Sequence, residues 1–380
     1  MPVRYLTDID QLDQIPPAER AVLKEVSKLY AFRLNDYYAK LINWADPQDP
    51  IRQLIIPHRD EMQEWGKLDA SNEASNTPAK GVQHKYPHTV LLLVNEICGA
   101  YCRYCFRKRL FLNDNDEVSK DISEGLDYIR SHPKVTNVLL TGGDPLVLST
   151  GKLERILEAL RAIEHVKIIR IGSKMPAFNP FRILEDEHLQ EVLRRFSTID
   201  RRIYLMAHFD HPRELTPEAI AGMDAFHRCG VIAVNQCPLI RGVNDDASTL
   251  AELFRKLSFM GVPPYYLFQG RPTAGNAPYE VPIVRGYALF EAAKTRVSGL
   301  AKRARYVMSH ERGKIEIVGI DEQRIYLRFH RAKDPADEGR FMVYQRDDQA
   351  SWLDHLVPVP GLGAPRFAPE APVEVRAGPE

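Results

Sequence analysis

From residue 89 onward, short apolar runs alternate with longer stretches whose apolar positions recur every three or four residues. The runs lie at 89–94, 135–140, 166–171, 203–207, 231–234 and 265–268, and their length and turn-rich flanks predict buried strands. The periodic stretches at 122–131, 151–163, 186–196, 217–228, 248–260 and 284–298 predict amphipathic helices. Strands that alternate with helices pair in parallel, because each parallel neighbour needs a crossover. Six such units predict an α/β fold, a partial (β/α)6 barrel of the TIM type with its helices outside.

The flanks read differently. Residues 1–84 are polar and helical in pattern, with Pro16 and Pro17 opening a stretch that runs through Leu23, Val26, Tyr30 and Leu34. Residues 46–52 and 56–57 are turn signals, and 69–80, polar and small, predicts a loop. Past residue 300, strands are expected at 315–318, 324–329 and 340–344, with a turn at 333–335, so a small antiparallel unit should close the open side of the barrel. The proline-rich residues 358–380 predict a disordered tail. Four regions follow: a helical segment (1–84), the barrel (85–300), a β-rich extension (301–357) and the tail (358–380).

Composition removes several classes of function. Lys and Arg number 51 and Asp and Glu 51, so the net charge is zero and no electrostatic footprint for nucleic acid or an anionic membrane is present. No apolar run is long enough to span a bilayer, and the start of the chain lacks a signal-peptide core, which points to the cytoplasm. There, five cysteines are not expected to form disulfides, and a metal or redox role comes first.

In parallel barrels, chemistry sits on the loops that follow the strands. Here those loops carry Cys98-Gly-Ala-Tyr-Cys102-Arg-Tyr-Cys105, then Thr141-Gly142-Gly143-Asp144-Pro145, Gly172-Ser173-Lys174-Met175-Pro176, His208-Phe209-Asp210-His211-Pro212, Asn235-Gln236 and Gln269-Gly270-Arg271. Three close cysteines with no fourth favour an iron–sulfur cluster with one open iron over zinc, which wants four protein ligands or, in catalytic sites, usually includes histidine. Completing a zinc site would require Cys229 or Cys237 to fold back.

On these residues the chain resembles the radical S-adenosylmethionine (SAM) enzymes, and its flanking motifs resemble the lysine 2,3-aminomutase group. The resemblance implies a [4Fe-4S] cluster on Cys98, Cys102 and Cys105 whose open iron holds SAM, and a one-electron reductase, flavodoxin or ferredoxin as donor. Cleavage of SAM then yields a 5'-deoxyadenosyl radical that removes hydrogen from an unactivated carbon. It further implies that Gly142, Gly143 and Asp144 meet the methionyl ammonium, that Arg170, Ser173 and His208 contact SAM, that Gln236 is among the cofactor-binding residues, and that Arg107 grips a substrate carboxylate. A tight turn for the glycines, a packed histidine for His208 and a solvated basic turn for Lys108 and Arg109 are the structural alternatives.

Lys314 stands where the aminomutases bind pyridoxal 5'-phosphate (PLP) as a Schiff base, although only the Gly-Lys core of that motif matches. Lys85 and Tyr86 resemble the phosphate-binding approach, with Lys in place of Arg, and Thr89 stands where another arginine is expected. A surface lysine in a hairpin is the alternative for Lys314. The two aspartates that hold lysine's distal ammonium are replaced by Arg271 and Val307, so free lysine is disfavoured as a substrate. The expected activity is a PLP-dependent 2,3-aminomutase acting on another amino acid or conjugate. A PLP-independent radical epimerase, dehydrogenase or modifying enzyme is the second reading, and a non-enzymatic iron–sulfur or zinc protein the third. No cysteine follows Cys237, so the C-terminal zinc cluster of some relatives is absent and their oligomer cannot be assumed, which leaves a homo-oligomer open.

Overall fold

All six strands expected in the barrel form, in the expected order. In the computed structural model, which describes residues 3–112, 115–119 and 121–363, a two-stranded pair, β1 (Tyr5–Leu6) and β2 (Leu34–Asn35), stands apart from a 12-stranded sheet. The sheet begins with β3 (Val82–Tyr86), antiparallel to β4 (Thr89–Asn95). It then runs parallel through β5 (Asn137–Gly142), β6 (Ile168–Ser173), β7 (Ile203–Ala207), β8 (Ile232–Pro238) and β9 (Pro264–Phe268). β10 (Arg305–His310) pairs in parallel with β9 and is a seventh parallel strand. β11 (Gly313–Ile320), β12 (Arg324–Ala332), β13 (Phe341–Gln345) and β14 (Pro358–Gly363) continue as an antiparallel meander.

The flanks depart from expectation at three places. The first 84 residues hold a strand pair besides helices, and the large sheet already begins at Val82. β10 lies in a stretch where no strand was expected. Residues 358–363, assigned to the tail, form β14, and the rest of that segment lies outside the described residues.

Between the parallel strands each helix turns one apolar stripe inward. The helix Thr150–Arg161 buries Leu153, Ile156, Leu157 and Leu160, at spacings of three and four residues. Asp186, Thr216 and Asp246 each cap the following helix by accepting from a backbone N–H of its first turn, an arrangement worth about 1 kcal/mol apiece. Apolar side chains from Leu6 to Leu356 belong to one buried cluster, so the N-terminal residues pack on the barrel. No helix is long and apolar enough to cross a membrane among the described residues.

Strands β10 and β12 approach the β3 end of the sheet. Ser71 Oγ donates to the Ser309 carbonyl (2.9 Å), Lys85 Nζ donates to the His310 carbonyl, and Arg331 Nη2 donates to Thr89 Oγ1 (3.3 Å). The tips of β10 to β12 therefore lie against β3 and β4, across the mouth of the barrel.

Candidate active site

A cavity of about 360 Å³ occupies the end of the barrel where the parallel strands finish, and Cys98, Cys102, Cys105, Arg107, Lys314 and every candidate cofactor contact from Lys85 to Gln236 line it. The cysteines sit on the loop after β4 and are free thiols. Burial raises the Cys98 thiol well above its ordinary range, with Asp144 and the other two thiols adding to the shift, and burial pushes Cys102 up to about 12. A coordinating metal would lower these values and hold the sulfurs as thiolates. Among the described residues no set of three His, Cys, Asp or Glu is already drawn to metal-ligating distance. The fit to a cluster rests on the donor type and on three thiols facing one cavity.

The two glycines after β5 serve that loop. Gly142 has φ 112, and a Cβ there would lie 2.4 Å from the Asn95 carbonyl; at Gly143 it would lie 2.5 Å from the Ile97 carbonyl. Gly143 N donates to Asn95 O (2.5 Å) and Asp144 N to Ile97 O (2.9 Å). The close approach expected toward a ligand is made, in this structure, to the backbone just before Cys98. Asp144 then ties in the next loop, accepting from Ser173 Oγ (2.9 Å) and Lys174 N (2.8 Å). Burial raises its carboxyl to about 6 against these hydrogen bonds.

Beneath the cysteines lies a buried polar network that sequence reasoning passed over. Lys174 Nζ bridges Asp210 Oδ2 and Glu214 Oε1, both at 2.6 Å. Tyr104 OH donates to Asp210 and meets His208 Nε2 at 3.1 Å, while that nitrogen also meets Asp210 Oδ1 at 2.9 Å. His208 is thus a hydrogen-bonded histidine that still opens into the cavity. Asp210, in the motif after β7, was the available signal.

A second group surrounds Glu73, in the loop at 69–80 to which no function was attached. Its carboxylate accepts from Arg107 Nε (3.0 Å), Arg107 Nη2 (3.1 Å) and Arg109 Nη2 (2.7 Å), and Arg271 Nη1 stands 3.7 Å away. Arg107 also donates to Thr141 Oγ1 and Gln83 Oε1, both at 2.9 Å. Lys108 and Arg109 are not a solvated turn: Lys108 is 4% exposed and donates to Glu61 Oε2 (3.1 Å), and Arg109 is held by Glu73 and Glu117. Arg271 lies 3.7 Å from the centroid of the Phe106 ring.

Lys314 occupies a third corner and is no surface lysine. The turn at residues 311 and 312 exists, but β11 then carries Lys314 inward, with Nζ 4.0 Å from the centroid of the Tyr266 ring. Burial lowers its pKa well below the ordinary lysine value, and Arg170, Arg331, Arg271 and Lys85 lower it further. Burial likewise pushes Lys85 down to about 7, with Arg271 as the second cause. Arg170, expected among the SAM contacts, belongs to this corner. Its guanidinium donates to Asn137 Oδ1 (2.8 Å), and burial lowers its pKa, with Arg331 lowering it further.

Residues 92–257 match the Radical SAM superfamily. The chain is 55% identical over 353 residues, 93% of its length and 94% of the other's, to a protein of Aquifex aeolicus (strain VF5) described as "Putative L-lysine 2,3-aminomutase". It is 37% identical over 271 residues to an L-lysine 2,3-aminomutase of Fusobacterium nucleatum subsp. nucleatum, covering 70% of this chain and 62% of that one. It is also 32% identical over 301 residues to a glutamate 2,3-aminomutase of Clostridioides difficile (strain 630), covering 78% and 70%. The barrel with its three-cysteine loop is that of a radical SAM enzyme. Within that superfamily the chain belongs to the lysine 2,3-aminomutase family, as a divergent member.

Proposed function

We propose that this enzyme is a PLP-dependent 2,3-aminomutase whose substrate is an amino acid with an acidic or hydrogen-bonding side chain. The observation that carries the PLP reading is Lys314: a desolvated amine with a lowered pKa, facing the same cavity as the cysteines. A lysine whose pKa is lowered by burial gives up its proton more readily and so is a better nucleophile for an aldehyde. When bound, SAM on the cluster would supply a carbon-centred radical, and PLP would supply an electron-delocalising ring for the migrating nitrogen. The protein's task is placement. Arg107, two residues after Cys105 and braced by Thr141 and Gln83, would hold the substrate carboxylate near the cluster by exchanging for it the Glu73 carboxylate that now takes its Nε and one Nη2 hydrogen.

Arg271 carries the substrate reading. It faces the cavity at 3.7 Å from Glu73, whose carboxylate is already taken up by Arg107 and Arg109. Arg107, Arg109 and Arg271 share that single carboxylate, so an ammonium side chain there would meet an excess of positive charge, whereas a carboxylate or amide would be paired. Relatives named for lysine and for glutamate both match, so their names do not choose between these substrates.

The test is borohydride reduction of PLP-treated protein followed by peptide mass analysis. A pyridoxyl group on Lys314 is the expected result, and protein without one would leave the PLP-independent reading. Anaerobic turnover with a panel of amino acids tests the second half, since lysine outpacing every acidic and neutral member would sink it.

A further inference from the structure

Four basic side chains from four strands line the cavity: Lys85 of β3, Arg170 of β6, Lys314 of β11 and Arg331 of β12. Among the described residues none of them is ion-paired. Lys85 is anchored by the His310 carbonyl, Arg170 by an asparagine, Lys314 by aromatic faces, and Arg331 by Thr89 Oγ1 and the Tyr86 ring, 4.2 Å from its centroid. Grouped bases drawn out of water without a carboxylate are costly to charge, and an anion that joined them would favour their protonated forms and be paired by them. Nearby carboxylates do not fill that role: Glu73 is held by arginines, and Glu311 Oε2 accepts from Asn72.

The backbone fixes two of these bases side by side. Lys314 and Arg331 are direct cross-strand partners, and the register shifts just after Lys314. Gly313 permits this, because a Cβ there would lie 2.3 Å from the Arg331 carbonyl. Arg331 thus stands beside the candidate aldehyde-binding amine, and it reaches across the barrel mouth to Thr89.

We propose that Arg331, carried on the C-terminal meander, is the guanidinium that binds the phosphate monoester of the pyridoxal cofactor, together with Lys85. The proposal rests on the PLP reading of Lys314. It explains why Thr89 is tolerated where an arginine is expected: the charge arrives from β12. A planar guanidinium can give two parallel hydrogen bonds to a phosphate, which the ammonium of Lys85 cannot.

The test compares pyridoxal 5'-phosphate with pyridoxal, which lacks the phosphate, on wild type, Arg331→Met and Arg328→Met. Arg328 lies on the same strand, pairs with Glu316 and is outside the cavity wall. Binding is read by absorbance titration, and attachment by borohydride reduction and peptide mass. Arg331→Met is expected to weaken PLP by roughly 10- to 100-fold and to leave pyridoxal unchanged, with Arg328→Met like wild type for both. Equal PLP affinity in Arg331→Met and wild type would overturn the proposal, as would an equal loss for PLP and pyridoxal. If Arg331→Met fails to fold, Arg331→Lys gives the same comparison with the charge kept. Wild type that takes up neither compound would refute the PLP reading itself. Protection by inorganic phosphate against urea, lost in Arg331→Met, would then still show that Arg331 binds a phosphate.

Discussion

Glu73 shows how much a single carboxylate carries here. Burial alone would raise its pKa, but Arg107, Arg271 and Arg109 outweigh that and hold it well below the ordinary 4.5. A carboxyl depressed in this way stabilises the fold fully above about pH 4.5 and loses that contribution as the pH falls further. Glu73→Gln keeps an acceptor but removes the charge, and it should cost about 3 kcal/mol at pH 7, the lower end for breaking a buried pair. Comparing urea midpoints of the two proteins at pH 7 and at about pH 3.5 checks this, because the gap must narrow in acid. A gap of constant size would mean that Glu73 acts through packing. Nothing in the sequence marked this residue. It lies in a polar segment without periodicity, and its partners are 34 and 36 residues away or on the far side of the barrel.

At the level of elements, the loop after β5 acts as a backing plate for the cysteine loop. A methyl group at Gly143 would strike the backbone of Ile97, and overpacking of this kind costs about 1–3 kcal/mol. The segment that can yield is the one ending at Cys98, so Gly143→Ala should lose iron on desalting after anaerobic reconstitution. Gly151→Ala is the contrast. It lies in the first turn of a helix with its nearest neighbour atom at 3.8 Å, and it should retain iron and gain about 0.5 kcal/mol. Equal iron content in the two variants would show that the loop accommodates the methyl. These elements were readable from the sequence because strand and helix periodicities are local. β10 was not: its residues Arg305–His310 extend the barrel only by pairing with β9, and β14 needs β13 to become a strand at all.

Over the whole molecule, bringing β12 against the β3 end of the sheet assembles basic groups that repel when charged. Lys85 and Arg331 lie far apart in sequence, so no local pattern shows that β12 ends beside β3, and the resemblance to the family stops at the missing arginine. The consequence is a pH dependence of unusual sign. Lys85 falls from 10.5 to about 7 on folding, through burial first and then Arg271, with Glu73 and Glu311 pulling the other way and Lys333 adding to the shift. Between those two values the unfolded chain holds more protons than the folded one, so stability rises with pH across that window. Lys85→Met removes this dependence. In phosphate-free buffer its midpoint in urea, relative to wild type, should therefore decline as the pH is raised from 7 toward 10. Inorganic phosphate at pH 7 should move the comparison in favour of wild type, which alone then offers both Lys85 and Arg331 to the anion. A relative midpoint that ignores both pH and phosphate would mean that Lys85 stays solvated and that the β3 end of the sheet does not hold opposed basic groups waiting for an anion.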